Sequence, residues 1–132
     1  MKLTRSVGYA VGVLLRVDNL SNSEPVTATA IAEGCDFPPR FLYRVLRRLV
    51  DAELLHGVPG PGGGYRLAKS LRDITLLEVV ESVEGLTRPE PLKPASRKHR
   101  GAIRFVNDLA LDETNRMVTR LSRVNLAKLS RM

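Results

Sequence analysis

The chain has 132 residues, 43% hydrophobic and 27% charged, with one cysteine and a net charge of +7. That balance suits one folded core with an appendage and excludes an intrinsically disordered chain. A lone Cys35 excludes an intrachain disulfide framework and any metal site built from several thiolates of one chain. No run approaches the ~20 apolar residues of a membrane span, so no membrane partner is expected and the address read from the sequence is cytoplasmic.

The basic excess is unevenly placed. Residues 1–85 hold ten Lys/Arg and ten Asp/Glu, whereas residues 86–132 hold eleven against four. Overall basicity therefore invites a nucleic-acid partner without locating its surface. A local cluster does locate one: RFLYRVLRR contains Arg40, Arg44, Arg47 and Arg48, and no acidic residue occurs between Asp36 and Asp51.

In chain order, Leu3, Val7, Ala10, Val11 and Leu14 recur at helical spacing and predict a first helix over about 4–17. Thr27 can cap a short second helix that Gly34 ends. Pro39 suits the first turn of a third helix, about 39–53, with Leu42, Val45, Leu46, Leu49 and Val50 inward. Arg40, Tyr43, Arg44, Arg47 and Arg48 then lie largely off that stripe. A merely solvated face would suit Lys and Glu in mixture; four arginines without a counter-charge suit a nucleic-acid surface better.

Two short segments, 54–58 and 64–68, read as a hairpin around the loop of GVPGPGGGYRL. Its glycines permit positive φ, and Pro59 and Pro61 stiffen it. Phosphate-cradling loops are excluded by spacing: Gly64 is followed by Tyr65 and Arg66, not by the Lys-Ser/Thr pair of a Walker loop, and no G-x-G-x-x-G can be placed. Thr75 and Glu78 form a capping-box pattern for a helix with Leu76, Val79, Val80 and Val83 inward and Gly85 as its stop.

Residues 86–101, with three prolines and five Lys/Arg, read as a basic loop. From 102 to 131 the chain looks helical, ~45 Å long if unbroken. Ile103, Leu109, Met117, Leu121 and Val124 are the candidates for burial against a second chain, because so long a helix outruns a small domain's own core.

Three helices, the third basic, followed by a glycine-tipped hairpin are the order of a winged helix-turn-helix. The fold class expected is mainly α with a small β-hairpin wing. A DNA-binding domain at 1–85 is followed by the loop 86–101 and a long C-terminal dimerisation helix at 102–132. In such a module the third helix enters the major groove and the wing lies on the backbone or in the minor groove. Gly60, Gly62 and Gly63 would let the wing backbone approach DNA.

The segments MKLTRSVGYAV, PVTATAIAE, RFLYRVLRRLVDAELL, VPGPGGGYRLAKS and ITLLEVVESVEG together resemble the IscR/NsrR-like winged-helix regulators, the Rrf-two family. The resemblance runs from the first residue to about Gly85, and LSRVNLAKLS is similar to the family's final helical stretch. It implies a dimeric bacterial transcription factor, with double-stranded DNA and a second copy of itself as partners. Many members sense iron, nitric oxide or redox state through an iron–sulfur cluster. Two departures qualify what is carried over. Pro59 stands where the family wing has an arginine, leaving Arg66 or Lys69 as the nearest substitutes. The family's three cluster cysteines are missing from residues 86–104, with Arg104 at the last one's place and Asn107 at a nearby histidine's. His99 alone cannot replace three thiolates, so no cofactor is expected.

A sequence-specific homodimer, a repressor in its expected form, is therefore the leading expectation. The second is a regulator that acts on a partner protein, with the basic loop Lys93–Arg100 docking an acidic surface. A regulatory protein, a small-molecule effector or oxidation of Cys35 are the expected signals; the plainer role for Cys35 is a small half-buried filler. No enzyme is expected, because nothing pairs a nucleophile with a base and His56 and His99 have no ligand-spaced neighbours.

Overall fold

The computed structural model describes residues 3–85 and 88–132. Leu86 and Thr87, at the head of the expected basic loop, lie outside the described residues. α1 (Arg5–Leu20) turns Val7, Ala10, Val13, Leu14 and Val17 inward, the one-sided spacing of a helix laid on a core. It runs past its expected end at Val17, while Leu3, expected inward, precedes it and is exposed. α2 (Ala28–Glu33) begins where the Thr27 hydroxyl accepts from the Ala30 amide at 3.1 Å.

α3 (Pro39–Asp51) starts on two prolines, where a missing amide costs no intrahelical bond. Leu42, Val45, Leu46 and Leu49 are its buried face. Glu53 adopts φ 60°, and the Leu54 amide donates to the Leu49 carbonyl at 2.9 Å, which turns the chain out of the helix. β1 (Leu55–Val58) then pairs antiparallel with β2 (Gly64–Leu67), Leu55 opposite Leu67 and Val58 opposite Gly64.

The hairpin is anchored at its base. Val26 and Tyr65 exchange both backbone bonds, at 2.9 and 2.8 Å, fixing the wing to the segment that leads into α2. Gly64 permits this contact, since a Cβ there would stand 2.4 Å from the Val26 carbonyl oxygen. Gly64→Ala is accordingly expected to cost more than about 1 kcal/mol, read as a lowered melting temperature with loss of amide protection at Val26 and Tyr65.

α4 (Leu76–Glu84) opens on the expected capping box. The Thr75 hydroxyl accepts from the Glu78 amide at 3.2 Å, and the Thr75 amide donates to Glu78 Oε2 at 2.8 Å. Lys69 Nζ lies 2.5 Å from Glu78 Oε1, tying the strand exit to the same cap. Burial pushes the Glu78 carboxyl up, but hydrogen bonds from Lys69 and Thr75 and the Lys69 charge outweigh it and hold the group below its ordinary value. A depressed carboxylate stabilises the fold above its unfolded pKa, and that contribution is lost as pH falls through its folded value. Thr75→Ala is expected to cost about 1 kcal/mol, and Glu78→Gln to flatten the acid limb of a melting-temperature profile.

The C-terminal region departs from one unbroken helix over 102–131. α5 (Arg100–Ser122) is 23 residues long, about 34 Å at the usual rise, and it begins inside the expected loop, after a 3₁₀ turn at Arg97–His99. The chain then breaks and restarts as α6 (Leu126–Ser130). Tertiary bonds cause the break: the Leu76 amide donates to the Val124 carbonyl at 2.7 Å, and the Leu126 amide to the Ile74 carbonyl at 2.9 Å. The Asn125 side chain caps α6 by accepting from the Lys128 amide at 2.9 Å.

One apolar core joins these elements. Val13, Leu14 and Val17 of α1 meet Leu46 and Leu49 of α3, Leu54 and Leu55, Ile74, Val79 and Val80 of α4, and Leu126 of α6. Among the described residues no polar or charged side chain is buried.

Candidate nucleic-acid interface

With one face of α3 committed to the core, Arg40, Tyr43, Arg44 and Arg47 fall at i, i+3, i+4 and i+7 and share the opposite face. All four are exposed, Tyr43 to 61%. No acidic side chain shares this stretch, and none of the salt bridges among the described residues involves it. The Arg40 and Arg44 guanidinium carbons lie 5.0 and 5.7 Å from the Phe41 ring centroid. The face presents three cations and a phenol on a rigid helix, donors matched to base edges and phosphates.

Arg48 is placed differently. Its Nη1 donates to the Val83 carbonyl at 3.2 Å, so it closes the C-terminal end of α4 and braces α3 against it. The two substitutes expected for the missing wing arginine are likewise engaged. Arg66 Nη2 donates to the Ser23 carbonyl at 2.7 Å, and Lys69 is held by Glu78.

Val58, Pro59, Gly60, Pro61 and Gly62 are exposed at the wing tip, which carries no charged side chain. The Gly63 amide donates to the Gly60 carbonyl at 3.0 Å, with Pro61 and then Gly62 (φ 74°) between them, the residue order of a type II turn. Gly63 is also needed by the hairpin itself: a Cβ there would stand 2.1 Å from the Val58 carbonyl oxygen. The glycines are thus required first by the turn and the strand contacts.

Of the residues expected to face a second chain, Leu121 belongs to the chain's own core and Met117 packs against it. This corrects the reading of both as an uncovered face. Val124 is half-buried, with its carbonyl bonded to α4, and Ile103 is half-buried. Leu109 is exposed, and Phe105 and Val106 share its side of α5. Phe105 was not legible as an exposed apolar side chain, because periodicity marks an apolar stripe without showing how much of it the domain covers.

Cys35 is half-buried beside the core. Burial pushes its thiol up; Arg16 pulls it down and Asp36 adds to the rise, leaving it above its ordinary value. A raised thiol holds less thiolate at neutral pH, the opposite of an activated cysteine. Downstream, Asn107 clasps the basic loop: the Leu92 amide donates to Asn107 Oδ1 at 2.8 Å, and Asn107 Nδ2 donates to the Leu92 carbonyl at 3.0 Å.

The helix-turn-helix of α2 and α3, followed by the β1–β2 wing, defines a winged-helix protein of the kind that binds DNA. The family model for Rrf2, described as an iron-dependent transcriptional regulator, matches residues 3–132, and the chain belongs to that family. It is 32% identical over 136 residues to YffB of Lactococcus lactis, assigned as an HTH-type transcriptional regulator, covering 98% of this chain and 87% of YffB. It is 37% identical over 84 residues to the HTH-type transcriptional regulator IscR of Photobacterium profundum, covering 64% of this chain and 49% of IscR. The chain thus spans about half the length of some relatives it matches. Its fold is similar to that of CymR, the global cysteine regulator of B. subtilis, with TM-score 0.68, 21% identity and coverage of 98% and 96%. The chain is therefore a winged-helix member of a family of transcriptional regulators.

The iron in the family description can be tested against the donors present. A protein-held cluster commonly takes four thiolate or imidazole ligands; this chain has one cysteine and two histidines. Among the described residues no group of three or more His, Cys, Asp or Glu side chains converges on a point. The Asn107 amide is spent on the Leu92 backbone. The residues do not fit a cluster. Among the described residues no helix is long and apolar enough to cross a membrane.

Proposed function

We propose that the chain is a cytoplasmic, sequence-specific homodimeric repressor that recognises its operator without an iron–sulfur cluster. The observation that carries this reading is the outward face of α3, where Arg40, Tyr43, Arg44 and Arg47 stand exposed with no acidic neighbour on the helix before Asp51. Arg40, Tyr43 and Arg44, on the first turns, read base edges, and Arg47 meets phosphate. The uncharged wing tip approaches the backbone through its amides, which offsets in part the arginine that Pro59 replaces. The dimer forms through α5, whose Phe105, Val106 and Leu109 stay exposed among the described residues.

Selection of bound duplexes from a random pool with the purified protein tests this reading. A two-fold pseudo-palindrome with half-sites about one helical turn apart (~34 Å) is expected. Recovery of no enriched sequence would instead favour the partner-protein regulator, with the exposed basic loop at Lys93–Arg100 as its docking surface.

A further inference from the structure

Phe41 is an aromatic residue on the first turns of α3, next to the arginines assigned to base readout, and it is only half-buried. Its ring is flanked by two cations of its own helix: Arg40, the preceding residue, at 5.0 Å and Arg44, three residues on, at 5.7 Å. It also leans on Tyr9 of α1, with ring centroids 6.3 Å apart and the rings tilted by 41°. Tyr9 is in turn stacked on Phe37 at 4.2 Å and 17°. Phe37 precedes the helix and Tyr9 belongs to the domain's first helix, so the brace behind the ring draws on two segments outside α3.

Arginine side chains on an open helix face sample many rotamers, and ordering them on DNA costs side-chain entropy. A ring face within about 6 Å of a guanidinium attracts it through the quadrupole and leaves the N–H edges free to donate. We propose that Phe41, braced by Tyr9 and Phe37, is a positioning residue that holds the Arg40 and Arg44 guanidiniums in the posture that reads base edges. This inference rests on the assignment of those arginines to base readout. Phe41 touches no base in this scheme; it acts through the arginines, and its effect falls on discrimination between sequences more than on attraction to phosphate.

The test is a double-mutant cycle on the full-length protein. The probes are the duplex recovered by selection and a scrambled duplex of equal length and composition. Phe41→Leu, which keeps an apolar filler without a π face, is expected to lower affinity for the selected duplex about three- to tenfold. Binding to the scrambled duplex and the salt slope should stay unchanged, and Phe41→Trp should restore discrimination. In the Arg40→Ala/Arg44→Ala background, Phe41→Leu should cost nothing further. A loss that persists in that background, or that strikes both duplexes alike, would show Phe41 to be a packing residue and overturn the proposal. If the arginine pair matters for the selected duplex while Phe41→Leu does not, positioning alone falls. If the arginine pair binds both duplexes like the parent, the readout assignment falls, and positioning falls with it.

Discussion

Alanine at Arg40 or at Arg44 lowers affinity for the selected operator by about 1–3 kcal/mol each, roughly five- to 150-fold, and relaxes base preference at one position per half-site. The expectation follows from what else these side chains do. Both are exposed, lie against the Phe41 ring and form no salt bridge among the described residues, so their removal is expected to leave the fold intact. Arg47→Ala should act on a different quantity: it weakens all sequences alike and flattens the salt slope by about 1. Arg48→Ala is the internal control. Because Arg48 donates to the Val83 carbonyl, its loss should lower the melting temperature through the α3–α4 contact and leave the salt slope in place. Titrations of the four variants on selected and scrambled duplexes, at two salt concentrations, separate these outcomes. Parental binding of both duplexes by Arg40→Ala and Arg44→Ala would remove α3 from the interface.

Arg48, Arg66 and Lys69 show where reading from sequence stopped. Residue type and spacing put a cation near the interface, but whether a cation is free depends on which carbonyl or carboxylate the fold brings beside it. Those partners, Val83, Ser23 and Glu78, lie 35, 43 and 9 residues away. By contrast, the start of α3 and its inward face were legible, because Pro39 and the Leu42–Val45–Leu46–Leu49 spacing are local. The Thr75–Glu78 box was legible for the same reason. The break between α5 and α6 was not. RVNLAKLS keeps helical periodicity, and the chain leaves the helix only because the Val124 carbonyl and the Leu126 amide are taken by Leu76 and Ile74. Asn125, a good N-cap in the middle of the run, was the one local sign of it.

That break also decides where a second chain can sit. The C-terminal half of α5 turns back onto its own domain, with Leu121 in the core and Met117 against it. The N-terminal half leaves Phe105 at 69%, Val106 at 42% and Leu109 at 51% exposed, on one side of the helix. In a two-fold dimer each of these side chains is buried twice. Glutamate at both Phe105 and Leu109 therefore removes four apolar side chains from that contact, about 4–7 kcal/mol once the value for full burial is scaled by the fraction each exposes, and sets like charges against one another. The double variant is expected to sediment as a monomer with an unchanged melting profile. It should lose operator affinity by about 10²-fold or more, since two half-sites bound separately forgo the effective concentration that linkage supplies. Leu121→Glu should do the reverse, unfolding the protomer because the charge falls inside its own core. A Phe105→Glu/Leu109→Glu protein that still sediments as a dimer would move the interface off this face of α5, and the apolar side chains there would then need another partner.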